Sequence, residues 1–407
     1  MGAAFVAGVG MTAFEKPGRR EWDYPDMVTE ALAVALADAD VDWSAVEAAY
    51  VGYVYGESSA GQCAVYPTGM SGIPIVNVNN NCSTGSTALQ LAVSAVQTGM
   101  HDVVVAVGFE KMQRGSITFG WTDRALPIGR HLQSMVELYG SADAPPAPQL
   151  FGNAGLEHAE RYGTTPEQFA LVAVKNHRHS VHNPYAQFQE EFSVDEVLAS
   201  PHVFGALTRL QCSPTSEGAA AAVVMSERAV RERELEARAV PVLAQAMTSD
   251  RPEAFESRSA IELVGAGMTR LAAQRVYEVS GIGPEDIDVI ELHDCFSTNE
   301  IITYEGLGLC DVGKAGPLVA DGATTYGGSW VVNPSGGLIS KGHPLGATGL
   351  AQCAEMTWQL RGEADGRQVA GAKVGLSHNL GLGGACVVTM YGAPVVPVRG
   401  GATDRRS

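Results

Sequence analysis

Two residues of the sequence have the type and surroundings of a nucleophile and its base. Cys82 follows an apolar, strand-like run at 73–78 and precedes a helix-like stretch of small residues at 83–96. A cysteine at a helix start faces unpaired backbone N–H groups and the positive end of the helix dipole, which favour its thiolate. His343 lies in a matching context, ahead of a second small-residue helix at 350–360. An imidazole titrates near neutral pH, so the pair predicts chemistry through a thioester.

An internal repeat distinguishes Cys82 from an ordinary buried thiol, which is the commoner role of a free cysteine. The helix-turn-strand segment beginning at Val41 resembles the one beginning at Ile282, a separation of 241 positions. Cys82 and His343 are separated by 261 positions, and each stands three residues before a glycine that opens a helix. Two similar separations with the same order of elements indicate an internal duplication.

The order of elements predicts the fold class. Strands that alternate with helices are typical of α/β proteins, in which helices cover parallel sheets. Ligand-binding loops in such folds collect at the carboxyl ends of the strands, where both Cys82 and His343 fall. If a pseudo-twofold axis relates the two halves, the nucleophile and the base meet in one pocket.

Four ordered motifs carry a resemblance to a known family. They are Asn81-Cys82-Ser83-Thr84-Gly85-Ser86, His293-Asp294-Cys295-Phe296, Gly342-His343-Pro344-Leu345-Gly346 and Ser377-His378-Asn379-Leu380-Gly381. Together they resemble the thiolase superfamily, and within it the sterol-carrier-type thiolases, a group that includes thiolase-like lipid-transfer proteins. The resemblance extends over nearly the whole chain, from about residue 4 to residue 395.

The resemblance implies a duplicated thiolase fold. Two similar βαβαβ-type halves with mixed sheets would form a layered α/β/α/β/α arrangement, with an inserted loop domain. The expected division is an N-terminal half at 1–245 that contains the insertion at about 112–204, a C-terminal half at 246–395 and a flexible tail at 396–407. The insertion has no counterpart in the second half, and in thiolases it covers the pantetheine and shapes the acyl pocket.

The resemblance also implies an activity, the CoA-dependent cleavage of a 3-ketoacyl-CoA, with branched-chain or steroid-derived substrates among those expected. Cys82 would attack the keto carbon and carry the acyl group as a thioester. His343 would activate the thiol and help to hold the thioester oxygen. Backbone N–H groups of Cys82 and of the turn at Gly381 and Gly383 would stabilise the oxyanion, a type of contact that often dominates catalysis.

The motifs depart from the usual thiolase pattern at the second catalytic thiol. Most thiolases have Cys-x-Gly where this chain has His378-Asn379-Leu380-Gly381, and Asn-Glu-Ala-Phe where it has His293-Asp294-Cys295-Phe296. In sterol-carrier-type enzymes Cys295 would supply the missing acid/base thiol. His293 and His378 are then expected to complete the catalytic pocket.

Two other functions remain open for the same fold. One is binding of acyl-CoA or lipid, or assistance to a partner, without carbon–carbon cleavage. The other is retro-aldol cleavage of a side chain, which does not need a thioester on Cys82.

Other patterns favour neither a bound metal nor a permanent cofactor, so CoA is expected only as co-substrate. His177, His179 and His182 lack a cysteine or carboxylate at ligand spacing, and we interpret them as a solvated helix face. No complete phosphate-binding or dinucleotide-binding glycine motif is present. The remaining cysteines are expected to be packing thiols; they are Cys63, Cys212, Cys310, Cys353 and Cys386.

The charge of the chain limits its partners. A formal net charge of −18 argues against nucleic acid, which requires a basic surface. CoA is itself anionic and needs local cations, for which the candidates are Arg114, Arg124, Arg130, Arg161, Lys175, Arg178 and Arg209. The candidates for an acyl site are Met135, Leu150, Phe151 and Phe169.

Composition predicts the setting in which the protein works. The seven cysteines are odd in number and lack disulfide-like spacing, which suits a reducing compartment. We see neither a signal segment nor an apolar run of membrane-spanning length, so a cytoplasmic location is expected. The resemblance implies a homodimer or homotetramer, and leaves room for a separate lipid-carrier or OB-fold partner chain.

Overall fold

The computed structural model of the protein describes residues 2–113 and 123–394. The strands within these ranges are β1 (Ala4–Met11), β2 (Ala48–Gly52), β3 (Ile75–Val78), β4 (Val103–Glu110), β5 (His202–Phe204), β6 (Leu207–Thr208), β7 (Gly218–Ser226), β8 (Val240–Thr248), β9 (Val289–Glu291), β10 (Val331–Val332), β11 (Val374–Gly381) and β12 (Ala385–Gly392).

The α-helices of the same ranges are α1 (Tyr24–Asp38), α2 (Ala60–Val65), α3 (Thr84–Gln97), α4 (Gly129–Tyr139), α5 (Pro146–Tyr162), α6 (Pro166–Ser180), α7 (Val194–Ala199), α8 (Glu227–Glu232), α9 (Glu253–Glu256), α10 (Ala260–Leu263), α11 (Ala266–Ser280), α12 (Ser297–Gly306), α13 (Ala315–Ala320), α14 (Gly337–Lys341) and α15 (Leu345–Arg361).

The sheet shows the duplication directly. In the first half the strands lie in the order β3-β2-β4-β7-β1, and the second half repeats it as β10-β9-β11-β12-β8. In each half the first three strands are parallel and the other two join antiparallel. The edge strands β1 and β8 pair briefly, Phe5 with Pro241 and Val6 with Val240, and so link the halves into one ten-stranded sheet. The predicted duplicated α/β fold is confirmed.

The strands are apolar on both faces because helices cover both. In β4, Val103 and Val105 point to a core shared with α1, whereas Val104 and Ala106 point to a core shared with α3 and α15. The second half has α15 on its inner face and α11 with α12 on its outer face. This alternation is the side-chain period of a strand, and it produces the predicted α/β/α/β/α layers.

The two central helices approach closely because small residues line their contact. A Cβ built on Gly85 of α3 would lie 2.6 Å from the Gly346 carbonyl oxygen, and one on Gly349 of α15 would lie 2.2 Å from the Ser86 nitrogen. No side chain fits at such distances. This approach brings the turns that begin α3 and α15, and hence both predicted catalytic residues, to one place.

The insertion packs against the second half. Its helices α5 and α6 begin at prolines and contact α12, and α6 also contacts α13 and α14. Thr165 and Gln168 form a capping box that begins α6.

The predicted boundary between the halves at 245/246 falls inside β8. Because β8 is the counterpart of β1, we propose that the halves divide before Val240. The predicted tail at 396–407 lies outside the described residues. Among those that are described, no helix has the length and apolar character needed to cross a membrane.

Candidate active site

A cavity of about 490 Å³ lies at the carboxyl ends of the strands, between the two halves and the insertion. Its walls carry the catalytic candidates Cys82, His293, Cys295 and His343. The rest of its lining is mostly apolar and comes from both halves and the insertion. This size and character are typical of sites for small organic ligands.

Cys82 and His343 meet as the repeat predicts. The Cys82 Sγ, one ring nitrogen of His343 and one of His293 all lie within 4.8 Å of one another. The rings of His293 and His343 stand nearly perpendicular, with their centroids 5.1 Å apart. Each half therefore contributes to one constellation, and each of the three residues lies in a turn just after a strand or before a helix.

The electrostatic environment of Cys82 differs from the expectation. Burial, followed by the nearby Glu110 carboxylate, raises the pKa of the Cys82 thiol to about 12. The backbone N–H groups of Cys82 and Leu382 favour the thiolate, but burial outweighs them. The free protein consequently holds Cys82 as a neutral thiol. The helix start alone does not activate it, and reaction as a nucleophile would require a base to remove its proton.

Hydrogen bonds orient the His343 ring beside Cys82. Its Nδ1 lies 2.7 Å from Thr348 Oγ1, and this hydroxyl donates its own proton to the Pro344 carbonyl oxygen. Nδ1 must therefore carry a proton and donate, which leaves Nε2 with a free lone pair. Nε2 is buried without a hydrogen-bond partner in the described structure. Burial and the neighbouring His293 hold the pKa of His343 well below its usual value, so the ring is neutral.

His293 lines the cavity and His378 supports it from behind. The Nδ1 of His293 donates to Asn379 Oδ1 at 3.0 Å. His378 accepts the backbone N–H of His293 at 3.4 Å and contacts Thr269 with its other nitrogen. Burial lowers the pKa of both rings to about 3. His378 does not line the cavity, so its place is that of a positioning residue.

Cys295 lies in the same cavity with its thiol protonated. Burial raises its pKa well above the ordinary value, and the nearby Cys82 and Asp294 add to the effect. The Asp294 carboxylate accepts N–H groups from Leu338 and Ile339 of α14. These bonds fix the turn that carries both His293 and Cys295.

The turn after β11 brings the Leu382 N–H to the nucleophile. Gly381 passes so close to residue 80 that a Cβ would lie 2.1 Å from the Asn80 oxygen, and Gly383 has a φ of +103°. The Leu382 carbonyl accepts a hydrogen bond from the Asn81 side chain. The donor that this turn provides to the Cys82 sulfur, beside the N–H of Cys82 itself, is thus Leu382, which lies between the predicted donors Gly381 and Gly383.

Glu110 is a site residue that the sequence reasoning missed. It ends β4, is fully buried, and accepts backbone N–H groups of Val54, Tyr55 and Gly346. It therefore joins a loop of the first half to the first turn of α15 in the second half. Burial raises its pKa to about 7. Nothing in its local sequence marks it, because its partners are distant backbone groups.

The predicted CoA-binding cations are mostly engaged elsewhere. Within the described residues Arg209 is the candidate that lines the cavity, where it is exposed. The others bond away from it: Arg124 to Asp123, Arg130 over the Phe255 ring, Arg161 to Glu157, Lys175 to Glu300 and Arg178 to Thr325. Arg114 lies outside the described residues.

The predicted acyl-site residues also divide into one that lines the cavity and others that do not. Phe151 lines the cavity, where it packs against Phe296 with ring centroids 5.0 Å apart. Met135, Leu150 and Phe169 belong to the hydrophobic core of the second half and its insertion. Of the adjacent residues Leu150 and Phe151 on α5, Phe151 thus reaches the cavity and Leu150 does not.

Two further expectations are corrected. His177 and His179 do not form a solvated face, because both side chains are buried. His177 is hydrogen-bonded to Ser340, and His179 is hydrogen-bonded to the Asn333 carbonyl and to Thr325. Of the supposed packing thiols, Cys212 lines the cavity and Cys63 is exposed.

Sequence comparison identifies the family. Residues 4–228 match the family described as "Thiolase, N-terminal domain", and residues 254–391 match "Thiolase C-terminal domain-like". This chain belongs to the thiolase family. Both halves seen in the structure are thiolase halves, and the resemblance predicted from four motifs is confirmed.

Several curated relatives of this thiolase are similar over most of their length. The chain is 60% identical over 388 residues to "Sterol carrier protein 2" of Bos taurus, covering 95% of this chain and 72% of that protein. It is 47% identical to "Non-specific lipid-transfer protein-like 2" of Caenorhabditis elegans, covering 95% of each. It is 38% identical to "Acetyl-CoA acetyltransferase" of Methanothermobacter thermautotrophicus, covering 95% of this chain and 98% of that one. The thiolase is therefore of the sterol-carrier type.

Solved structures agree on the thiolase fold. "Ltp2-ChsH2(DUF35) aldolase" superposes with a TM-score of 0.80 at 25% identity, covering 96% of this chain and 98% of that chain. Human mitochondrial 3-ketoacyl-CoA thiolase superposes with a TM-score of 0.71 at 18% identity, covering 97% and 99%. The second likeness concerns the fold alone.

Proposed function

We propose that this protein is a sterol-carrier-type thiolase that cleaves 3-ketoacyl-CoA with free CoA. The observation that carries the proposal is the convergence of a thiol, an unpartnered imidazole nitrogen and a second protonated thiol in one cavity. Family membership supports acyl-CoA thiolase chemistry in general, and the similarity to an acetyl-CoA acetyltransferase supports an acyltransferase.

The first step forms the acyl-enzyme. The Cys82 S–H proton passes to His343 Nε2, and the thiolate attacks the keto carbon of the substrate. The bond between that carbon and the α-carbon breaks, and its electron pair leaves as the enolate of a shorter acyl-CoA. The protonated His343 and the N–H groups of Cys82 and Leu382 are placed to stabilise negative charge on oxygen and sulfur.

The remaining steps transfer two protons and the acyl group. Cys295, held protonated by burial, donates its proton to the enolate carbon and releases the shorter acyl-CoA. The Cys295 thiolate then takes the proton of incoming CoA, whose sulfur attacks the thioester on Cys82. The Cys82 thiolate leaves and recovers its proton from His343, so every group returns to its starting form.

The cavity walls support the choice of substrate. Arg209 lies at the cavity as an exposed cation and suits a phosphate of CoA. The segment 145–148 and Phe151 form an apolar wall from the insertion. This wall and the cavity volume favour acyl chains bulkier than acetyl, including branched ones.

Mass spectrometry after brief exposure to a 3-ketoacyl-CoA tests the proposal. We expect an acyl adduct on Cys82, together with CoA-dependent loss of acetoacetyl-CoA and of a 2-methyl-3-ketoacyl-CoA in a steady-state assay. Cys82→Ala should abolish both, whereas Cys63→Ser, which alters an exposed thiol, should leave both unchanged. A protein that binds these substrates without CoA-dependent loss would instead be an acyl-CoA or lipid binder.

A retro-aldol lyase is the second candidate, favoured by the likeness to the Ltp2-ChsH2(DUF35) aldolase. That chemistry leaves no acyl group on a cysteine. An active protein whose Cys82 stays unmodified during turnover would support the lyase and overturn the thiolase proposal.

We also propose an assembly with further chains. The fold neighbour is described as a complex with a DUF35 protein, and this supports the expectation of a separate partner chain such as an OB-fold protein. A homodimer or homotetramer remains our prediction for the chain alone, and light scattering of the purified protein measures it directly.

A further inference from the structure

The turns that carry Cys82, His293 and His343 place three potential metal-ligand atoms together. The Cys82 Sγ and one nitrogen each from His293 and His343 lie within 4.8 Å of one another, and all three residues are buried. In a tetrahedral zinc site, with Zn–N about 2.1 Å and Zn–S about 2.3 Å, neighbouring ligand atoms lie roughly 3.3–3.7 Å apart. A contraction of at most roughly 1.5 Å, within reach of side-chain rotation, converts the cluster into such a site.

The hydrogen bonds of both histidines suit metal binding. His343 Nδ1 donates to Thr348 and His293 Nδ1 donates to Asn379, which leaves the Nε2 lone pairs of both rings free. Histidine ligands in metal sites have this arrangement, with the second nitrogen held by a neighbouring oxygen. The His343 Nε2 is also a buried polar atom with no hydrogen-bond partner in the described structure. A cation would satisfy it.

We propose that Cys82, His293 and His343 bind one Zn²⁺, with a fourth position open to the cavity. One thiolate and two imidazoles are a borderline-soft donor set that suits zinc and does not suit Mg²⁺ or Ca²⁺, which prefer oxygen. Binding replaces the Cys82 S–H bond by an S–Zn bond and releases the proton to solvent, without oxidation or reduction. Water or a thiol fills the fourth position.

The bound ion would occupy the nucleophile and its base at once. Zn²⁺ on Cys82 and His343 removes the attacking sulfur and the proton acceptor together, so the proposal predicts reversible inhibition by zinc and recovery with a chelator. The metal site depends on the geometry of three side chains alone. It therefore holds whichever reaction the cavity performs.

The site can be tested with Co²⁺, a spectroscopic substitute for zinc. Titration of the metal-stripped, full-length protein should give one Co²⁺ per chain, with intense visible bands of a tetrahedral ion and a thiolate-to-cobalt charge-transfer band. One equivalent of Zn²⁺ should remove these bands, and Mg²⁺ should not. A weak octahedral spectrum without charge transfer would overturn the proposal.

Variants locate the ligands. Cys82→Ala should abolish the charge-transfer band, and Thr348→Val, which frees the His343 ring, should weaken Co²⁺ and Zn²⁺ affinity by about 10- to 100-fold. The double variant Cys63→Ser with His182→Asn removes an exposed thiol and an exposed imidazole, and should bind as the native protein does. Binding lost in this control but retained in Cys82→Ala would place the metal elsewhere and refute the site.

A measurement on the native chain avoids any dependence on folding of a variant. One equivalent of Zn²⁺ should slow iodoacetamide alkylation of Cys82, read by mass spectrometry, while alkylation of Cys63 proceeds unchanged. Protein alkylated at Cys82 beforehand should no longer bind Co²⁺. Equal alkylation of Cys82 with and without Zn²⁺ would overturn the metal site. The acyl-adduct experiment contains no metal, so failure of one proposal is distinguishable from failure of the other.

Discussion

At the scale of single residues, the proposed catalysis depends on where protons are held. Cys82 and Cys295 are both kept protonated by burial, and His343 is kept neutral with its free lone pair in the cavity. Neither the proposed nucleophile nor the proposed base is charged in the free protein. Charge develops only when a substrate allows the proton to pass from sulfur to nitrogen, which protects a reactive thiol from unrelated electrophiles.

Glu110→Gln tests the electrostatic coupling at the nucleophile. The Glu110 carboxylate is the largest cause, after burial, of the raised pKa of Cys82. Removing its charge should lower that pKa and speed the reaction of Cys82 with iodoacetamide at a fixed mildly alkaline pH. Glu256→Gln alters an exposed carboxylate and should leave the rate unchanged. An equal or slower rate in Glu110→Gln would contradict the coupling.

The same residue predicts a pH dependence of stability. The Glu110 carboxyl has a pKa of about 7 in the fold, compared with 4.5 for an ordinary glutamate, so the folded protein holds a proton that the unfolded chain releases. Its stabilising contribution is complete below pH 4.5 and is lost as pH rises towards 7.

Urea unfolding of native protein and of Glu110→Gln across this window measures the effect. The glutamine does not titrate, so the native protein should lose stability relative to the variant as pH increases. A difference in free energy of unfolding that stays constant across the window would refute the assignment to Glu110.

At the scale of elements, the site depends on two helices that touch and one insertion that covers them. The helices α3 and α15 hold Cys82 and His343 at their first turns, and their glycine contact sets the distance between the turns. The insertion supplies Phe151 and the segment 145–148 to the cavity wall. The residues that set the distance between Cys82 and His343 and the residues that form the apolar wall thus belong to different parts of the chain.

Gly349→Ala tests the helix contact. The added methyl would lie 2.2 Å from both the nitrogen and the Oγ of Ser86, so α15 must move away from α3. We expect a loss of about 1–3 kcal/mol in the free energy of unfolding, as for other overpacked cores, and a fall in kcat as His343 withdraws from Cys82. Gly129→Ala has an ordinary 3.6 Å contact and should preserve stability and kcat. Native-like kcat in Gly349→Ala would show that the spacing is not critical.

Phe151→Ala tests the insertion as the origin of specificity. Removing a buried ring should cost about 3–5 kcal/mol of stability, and the enlarged cavity should raise kcat/KM for a branched 3-ketoacyl-CoA relative to acetoacetyl-CoA. Leu150→Ala is the matched control, because Leu150 is equally buried and does not line the cavity. It should destabilise the protein without changing the ratio. The same ratio in both variants would remove Phe151 from substrate selection.

At the scale of the whole molecule, a shared core joins the two halves. Their central helices share a single hydrophobic core, and β1 pairs with β8 across the junction. Arg361 at the end of α15 adds a polar link, since its guanidinium donates to Asp38 of α1 and to the Ala7 carbonyl of β1. The shared core predicts that neither half unfolds while the other stays intact.

Arg361→Met tests this coupling. The variant loses the link between halves and leaves the Ala7 carbonyl without its donor, so we expect a loss of about 1–3 kcal/mol in the free energy of unfolding. Unfolding should remain a single transition by circular dichroism and by thiol reactivity of Cys82. Arg270→Met, which removes an exposed pair with Glu262, should cost under about 1 kcal/mol. Two separated transitions would contradict the shared core.

The α/β class, the duplication and the meeting of Cys82 with His343 could be predicted from local patterns, because alternating strands and small-residue helices report on burial, and a repeated turn occupies equivalent positions in both halves. The family and the layered arrangement were predicted from the resemblance of four motifs. Cys295 and His293 were also found from one short motif. In these cases the information lies within a few neighbouring residues.

The contacts of the site, the pKa of Cys82 and the lining of the cavity became visible only in the folded structure. Glu110, Thr348 and Leu382 act through partners far along the chain or through backbone groups, which no local pattern records. The raised pKa of Cys82 reflects burial by both halves together, and it outweighs the helix start on which the sequence argument depended. Packing of the insertion likewise decides that Arg209 and Phe151 line the cavity. Sequence cannot predict this, because neighbouring residues on one helix point to different surroundings.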